Sequence, residues 1–153
     1  MRALVQRVKR SSVIIEGEVK SSIQKGVLIL LGVKTDDAES DARYLAERCA
    51  ALRIFDDDQG KMNLSLLEVK GDALVVSQFT LYGDTRKGNR PSYTDAAPHH
   101  LAESLYETFV HHLKQSIGET HVQTGVFRAM MDIELVNDGP VTVMLESKNS
   151  AHQ

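Results

Sequence analysis

The sequence predicts an α+β protein: a mixed, largely antiparallel β-sheet packed against two main helices. Three observations predict it. Two short apolar runs, Gly26-Val-Leu-Ile-Leu-Leu-Gly-Val33 and Ala73-Leu-Val-Val-Ser-Gln-Phe-Thr-Leu81, read as strands buried on both faces. Turn-forming residues between other strand-like segments read as hairpins. Two stretches carry apolar residues at helical spacing. At 153 residues the chain suits one domain, which can bury a core without disulfides or a structural metal.

The elements follow in order. Leu4–Val8 reads as a strand with Leu4, Gln6 and Val8 on one face and Val5 and Arg7 on the other. Val13–Val19 reads as two strand arms around Glu16-Gly17, a hairpin turn. Thr35-Asp-Asp-Ala-Glu39 supplies capping chemistry for a first helix, and Ala38, Ala42, Leu45, Cys49 and Leu52 form its apolar stripe. Cys49 lies on that stripe and reads as a packing residue. Asp56–Gly60 joins two short strands. It fails as a calcium loop, because Phe55 and Leu66 would fall on ligand positions. A polar loop runs from Tyr82 to Asp95. Pro98 then opens a second helix, whose buried face is Leu101, Leu105, Phe109, Leu113 and Ile117. Strands over 130–136 and 141–146 flank Asn137-Asp-Gly-Pro140. The domain is expected over 1–147, with a polar, fraying tail over 148–153.

Composition and motifs exclude several classes. Eighteen Lys and Arg against twenty-one Asp and Glu give a net charge of −3, so an extended grip on duplex phosphates is disfavoured. One cysteine excludes a disulfide framework. No signal peptide or membrane-length apolar run is visible, which leads us to expect a soluble, intracellular protein. The sequence holds no phosphate loop, dinucleotide fingerprint, HExxH or GxSxG elbow. The adjacent pairs His99-His100 and His111-His112 diverge on a helix and do not converge on a metal, and no metal or other cofactor is expected.

Two places break local rules, and such breaks gather at functional sites. The first is the run Ser77, Gln78, Phe79, Thr80 at the end of a buried strand. Its polar groups either pair with neighbouring backbone or form a cradle for a bound carbonyl, an oxyanion hole. The second is Gly139-Pro140, which is either a plain turn or a loop tip presenting two bare carbonyls to an ammonium group. Arg86, Lys87 and Arg90 follow the first place closely. They are either solvated or positioned for a polyanion such as an RNA 3′ end.

Taken together, Leu4-Val-Gln-Arg-Val8, Val75-Val-Ser-Gln-Phe-Thr-Leu81, Asp84-Thr-Arg-Lys-Gly-Asn-Arg-Pro-Ser92 and Leu135-Val-Asn-Asp-Gly-Pro-Val-Thr142 resemble the D-aminoacyl-tRNA deacylase family, from Met1 to about Ser147. The resemblance implies a cytoplasmic enzyme with a barrel-like sheet that cleaves the ester between a D-amino acid, or glycine, and the 3′-terminal adenosine of tRNA. It implies a homodimer with sites at the subunit interface. Gly139 and Pro140, joined by a cis bond, would reach into the partner's pocket, built from Ser77, Gln78, Phe79 and Thr80. Arg7 and Asn137 would support the Gly-Pro element, Phe127 and Met131 would contact the adenosine, and Arg86, Lys87 and Arg90 would meet tRNA phosphates. Two alternatives stay open: a relaxed deacylase of mischarged L-aminoacyl-tRNA, and a non-catalytic RNA-end binding module.

Overall fold

Strands β3 (Gly26–Gly32) and β6 (Asp72–Ser77) run side by side in parallel at the centre of a mixed sheet. The computed structural model describes residues 1–147; the tail expected over 148–153 lies outside the described residues. The apolar runs that announced these strands are explained by cores on both faces of the sheet. Val27, Ile29 and Leu31 of β3 and Ala73 and Val75 of β6 face one core. Leu28 of β3 and Leu74 and Val76 of β6 face the other.

The first core lies under the helices. Helix α1 (Glu39–Ala51) buries Ala42, Leu45 and Cys49, as the stripe predicts. Ala38 falls outside the stripe: it is the N-cap, and its N–H donates to the Asp41 carboxylate at 2.8 Å. The Asp37 carboxylate instead accepts from the Lys34 N–H at 2.6 Å. Helix α3 (His99–Ile117) buries Leu105, Phe109, Leu113 and Ile117, and adds Ala102, Tyr106 and Val110. Between these helices lies a short third one, α2 (Leu66–Val69), which the sequence reading passed over. Its signal was present as Ser65-x-x-Glu68: the Ser65 hydroxyl accepts from the Glu68 N–H and the Glu68 carboxylate from the Ser65 N–H.

The second core is the interior of a nearly closed barrel. The two strand segments expected over Leu4–Val8 and Val13–Ile15 are one strand, β1 (Arg2–Ile15). Along one edge its first half pairs with β3 and its second half with β2 (Glu18–Ile23). The β1–β2 turn is Glu16-Gly17, both at positive φ, as the hairpin reading expects. Strand β7 (Val122–Thr124) lies parallel to β6 at the far side of the sheet. The Ser21 hydroxyl of β2 donates to the Thr124 carbonyl of β7 at 2.7 Å and draws the two ends of the sheet together.

Two expectations need correction. The segments 130–136 and 141–146 form a single strand, β8 (Asp132–Glu146), along the other edge of β1. The Asn137–Pro140 segment is therefore no hairpin turn, because the chain resumes pairing with the same neighbour beyond it. The apolar run over Ala73–Leu81 is not all strand either: β6 stops at Ser77, and Phe79–Tyr82 turns into a 3-10 helix. The hairpin at Asp56–Gly60 does form, joining β4 (Phe55–Asp56) and β5 (Met62–Leu64).

Candidate active site

The end of β6 carries the first half of the site. The Gln78 N–H still donates to the Leu31 carbonyl of β3 at 2.8 Å. Past it the chain folds onto Gly32. A Cβ on Gly32 would stand only 3.1 Å from Leu81 Cβ, 3.2 Å from the Gln78 carbonyl oxygen and 3.3 Å from the Tyr82 ring. The missing side chain lets the turn settle there. The first 3-10 bond runs from the Leu81 N–H to the Gln78 carbonyl. The N–H groups of Phe79 and Thr80 therefore precede the ladder and stand available to an acceptor. The Gln78 amide donates to the Thr80 hydroxyl, and Ser77 and Gln78 are half-buried while Phe79 and Thr80 are exposed. The Phe79 ring meets Tyr93 edge to face at 5.1 Å. Tyr93 gave no sequence signal as a neighbour of this turn.

This arrangement suits a carbonyl oxygen that gathers negative charge: two adjacent backbone donors, with a hydroxyl and an amide beside them. The partner the structure gives the Thr80 hydroxyl is Gln78, not a histidine or carboxylate that would activate it as a nucleophile.

The second half of the site lies on β8. Across the β1–β8 ladder Val8 faces Asn137 and Gln6 faces Thr142, so the four residues 138–141 bulge out opposite Arg7 alone. Gly139 and Pro140 sit exposed at its tip, and the peptide between them is cis. Arg7 is 7% exposed and binds the bulge from beneath. Its Nη1 donates to the Ile54 carbonyl at 2.7 Å, and its Nε donates to the Asp138 carbonyl at 3.2 Å. The Asp56 and Asp138 carboxylates lie 3.6 and 3.5 Å from the guanidinium. The Asn137 side chain donates to the Arg7 carbonyl at 3.3 Å and the Val141 carbonyl at 3.1 Å, lacing the neck of the bulge. Gly139 has φ +119°, and a Cβ there would stand 2.7 Å from Arg7 Nη2. Asp138, Ile54 and Asp56 were missed by sequence reasoning, since only the fold brings them to Arg7.

The two halves do not meet within one chain. Ser77 is level with Leu31, which faces Ala3, whereas the bulge is level with Arg7. Four residues along β1 and three strand spacings across the sheet put them roughly 20 Å apart.

The remaining candidates sit nearby. Phe127 packs its ring on Tyr106 at 6.0 Å, and Met131 packs against the barrel core. Their loop adjoins β6: the Gly125 N–H donates to the Val75 carbonyl at 3.0 Å. Arg86 is held by its own loop, its Nε and Nη2 donating to the Asp84 carboxylate at 2.9 and 2.7 Å. That contact holds the Asp84 carboxyl well below the usual carboxylate range. Lys87 and Arg90 are exposed. Among the described residues no three His, Cys, Asp or Glu side chains are grouped to hold a metal ion, and no helix is long and apolar enough to cross a membrane.

A bulge tip and a turn that expose main-chain groups are chemically suited to the part of a substrate common to many side chains. Comparison with known proteins makes this particular. The family model described as D-Tyr-tRNA(Tyr) deacylase matches residues 4–146. A "D-aminoacyl-tRNA deacylase" of Fervidobacterium nodosum is 56% identical over 148 residues, covering 97% of this chain and 98% of the relative. One of Koribacter versatilis is 57% identical with the same coverage. The solved structure of a "c-Myc DNA Unwinding Element Binding Protein" superimposes with a TM-score of 0.93 at 37% identity, covering 97% of this chain and 100% of that one. That of a "probable eukaryotic D-amino acid tRNA deacylase" gives 0.81 at 18% identity over 95% of this chain and 98% of that one, a likeness of fold. The chain belongs to the D-Tyr-tRNA(Tyr) deacylase family and is an enzyme of that family.

Proposed function

We propose that the protein hydrolyses the ester joining a D-amino acid to the 3′-terminal adenosine of tRNA, accepts glycyl-tRNA, and spares L-aminoacyl-tRNA. The observation that carries the reading is the Phe79–Tyr82 turn, with two main-chain donors ahead of its first internal bond. The ester carbonyl oxygen accepts from the Phe79 and Thr80 N–H groups. Water attacks the carbonyl carbon, the bond to the ribose oxygen breaks, and a proton passes to that oxygen, with the ribose 2′-hydroxyl at hand to relay it. An aminoacyl ester is already activated, so oriented dipoles suffice without a covalent nucleophile.

Chirality must be judged at the α-carbon whatever the side chain, and main-chain atoms do this without side-chain preference. The carbonyls of Gly139 and Pro140 receive the substrate ammonium, and an L-residue drives its Cβ into them. Glycine has no Cβ to reject. The separation of bulge and turn within one chain supports a homodimer, in which the bulge of one protomer completes the turn of its partner. The long outer edge of β8, with Leu135 and Met144 exposed, offers a surface for that pairing. Phe127 and Met131 contact the terminal adenosine, Lys87 and Arg90 with Arg86 meet acceptor-stem phosphates, and the enzyme works in the cytoplasm with tRNA.

The test is hydrolysis of matched D- and L-tyrosyl-tRNA by the purified protein. Cleavage of the D-ester alone is expected. Cleavage of both would assign a relaxed deacylase, and cleavage of neither by folded protein would leave an RNA-end binding module.

A further inference from the structure

We infer that Arg2 is a positioning residue for the carbonyl-binding turn, acting through Leu81 and Tyr82 rather than on substrate. This inference rests on the deacylase reading above. The turn is tied to the sheet at its start, where the Gln78 N–H meets the Leu31 carbonyl. At its far end the Leu81 carbonyl lies in the last turn, where helix carbonyls lack internal partners. Arg2 Nη1 donates to it at 3.0 Å. The same guanidinium lies over the Tyr82 ring, 4.6 Å from its centroid. The burial of that ring raises its hydroxyl pKa well above the usual phenol range.

Arg2 is itself held in place. Its Nε donates to Glu146 Oε1 at 2.7 Å, and the two residues face each other across the β1–β8 ladder. On its other edge Arg2 faces Gly32 of β3, the residue on which the turn packs. A rigid fork that meets a carboxylate, a carbonyl and an aromatic face at once is a task for arginine and not for lysine. Phe79 and Thr80 stand two residues and one residue ahead of Leu81, so a shift of the Leu81 carbonyl rotates the N–H groups that receive the substrate oxygen. Such groups act on the charged transition state more than on the bound ester.

The test compares Arg2→Ala and Arg2→Lys with the unaltered enzyme on D-tyrosyl-tRNA, with thermal melts alongside. If the unaltered enzyme is inactive, the deacylase reading fails and this inference falls with it; if it is active, the variants judge Arg2 alone. Arg2→Ala is expected to lower kcat by about 10- to 100-fold, less than or comparable to deleting one oxyanion donor, with KM within about twofold. Arg2→Lys, which regains one of the two hydrogen bonds, is expected to recover part of the loss. Unchanged kcat, or a raised KM at unchanged kcat, overturns the inference. Should Arg2→Ala not fold, Arg2→Lys decides with ¹⁵N spectra: displaced Phe79 and Thr80 amide signals with lowered kcat support it, and unmoved signals with unaltered kcat refute it.

Discussion

The Gly139-Pro140 bulge and the Phe79–Tyr82 turn differ in how they are held. The bulge rests on one buried side chain: Arg7 reaches two carbonyls and two carboxylates, and Asn137 laces the neck. The turn is held by packing on a bare glycine, one strand hydrogen bond and a half-exposed arginine. The difference suits the tasks proposed for them. A filter that works by steric clash must not yield, whereas a donor pair needs only the right orientation towards a small oxygen. It also places the greatest sensitivity to mutation on the bulge.

The largest expected effect comes from Arg7→Ala. Removing the guanidinium strands the Ile54 and Asp138 carbonyls and brings Asp56 and Asp138 together without their cation. We expect a loss of about 2–4 kcal/mol in stability, read by urea unfolding, together with failure to discriminate between D- and L-tyrosyl-tRNA. Gly139→Ala is the milder break. Its Cβ would crowd Arg7 Nη2 at 2.7 Å, and φ +119° disfavours any L-residue, for about 1–3 kcal/mol. The ratio of D to L hydrolysis should fall while the chain still folds. An unaltered ratio would remove the bulge from the filter.

On the turn, Thr80→Ala should keep kcat within about tenfold, because the main-chain donor survives; a loss of about 10⁴ or more would instead mark Thr80 as a covalent nucleophile. Lys87→Ala and Arg90→Ala should act on binding alone. Each should raise KM for tRNA and lower the slope of log affinity against log salt by about one. A fall in kcat at constant KM would place these cations in the chemistry. The last effect belongs to neither half and vanishes at neutral pH. Burial pushes the Cys49 thiol up to about 12 from an ordinary 9.0. The folded state thus keeps a proton that the unfolded chain releases, so this group's contribution to stability is whole below pH 9 and declines as pH rises towards 12. Cys49→Ala should flatten that decline in pH-dependent melts, and the native thiol should resist alkylation at pH 8.

Much of the fold was legible because local rules and the tertiary structure agree. The α1 and α3 stripes, the Glu16-Gly17 hairpin and the Asp56–Gly60 turn each obey a short-range pattern. The errors fall where long-range pairing overrides such patterns. Val75–Leu81 reads as strand throughout, yet β6 stops at Ser77 because Gly32, some fifty residues earlier, gives the chain somewhere to turn. Asn137-Asp-Gly-Pro140 reads as a hairpin turn, yet β1 is long enough to pair on both sides of it, and the segment becomes a bulge. The candidate residues of the site were visible as types out of place, polar groups ending a buried strand and a Gly-Pro before another. Their grouping was not, since Arg2 meets Leu81 across 79 positions and Arg7 meets Asp138 across 131.

By itself, then, the sequence determined the class of fold, the two helical faces, the buried strands and the residues worth suspecting, because periodicity and turn chemistry act over a few neighbours. The tertiary structure decided where β6 ends, that β8 is one strand, and that Arg7 holds the bulge and Arg2 the turn of the candidate site. Those outcomes depend on space and hydrogen-bond partners supplied by distant strands, which no local pattern encodes.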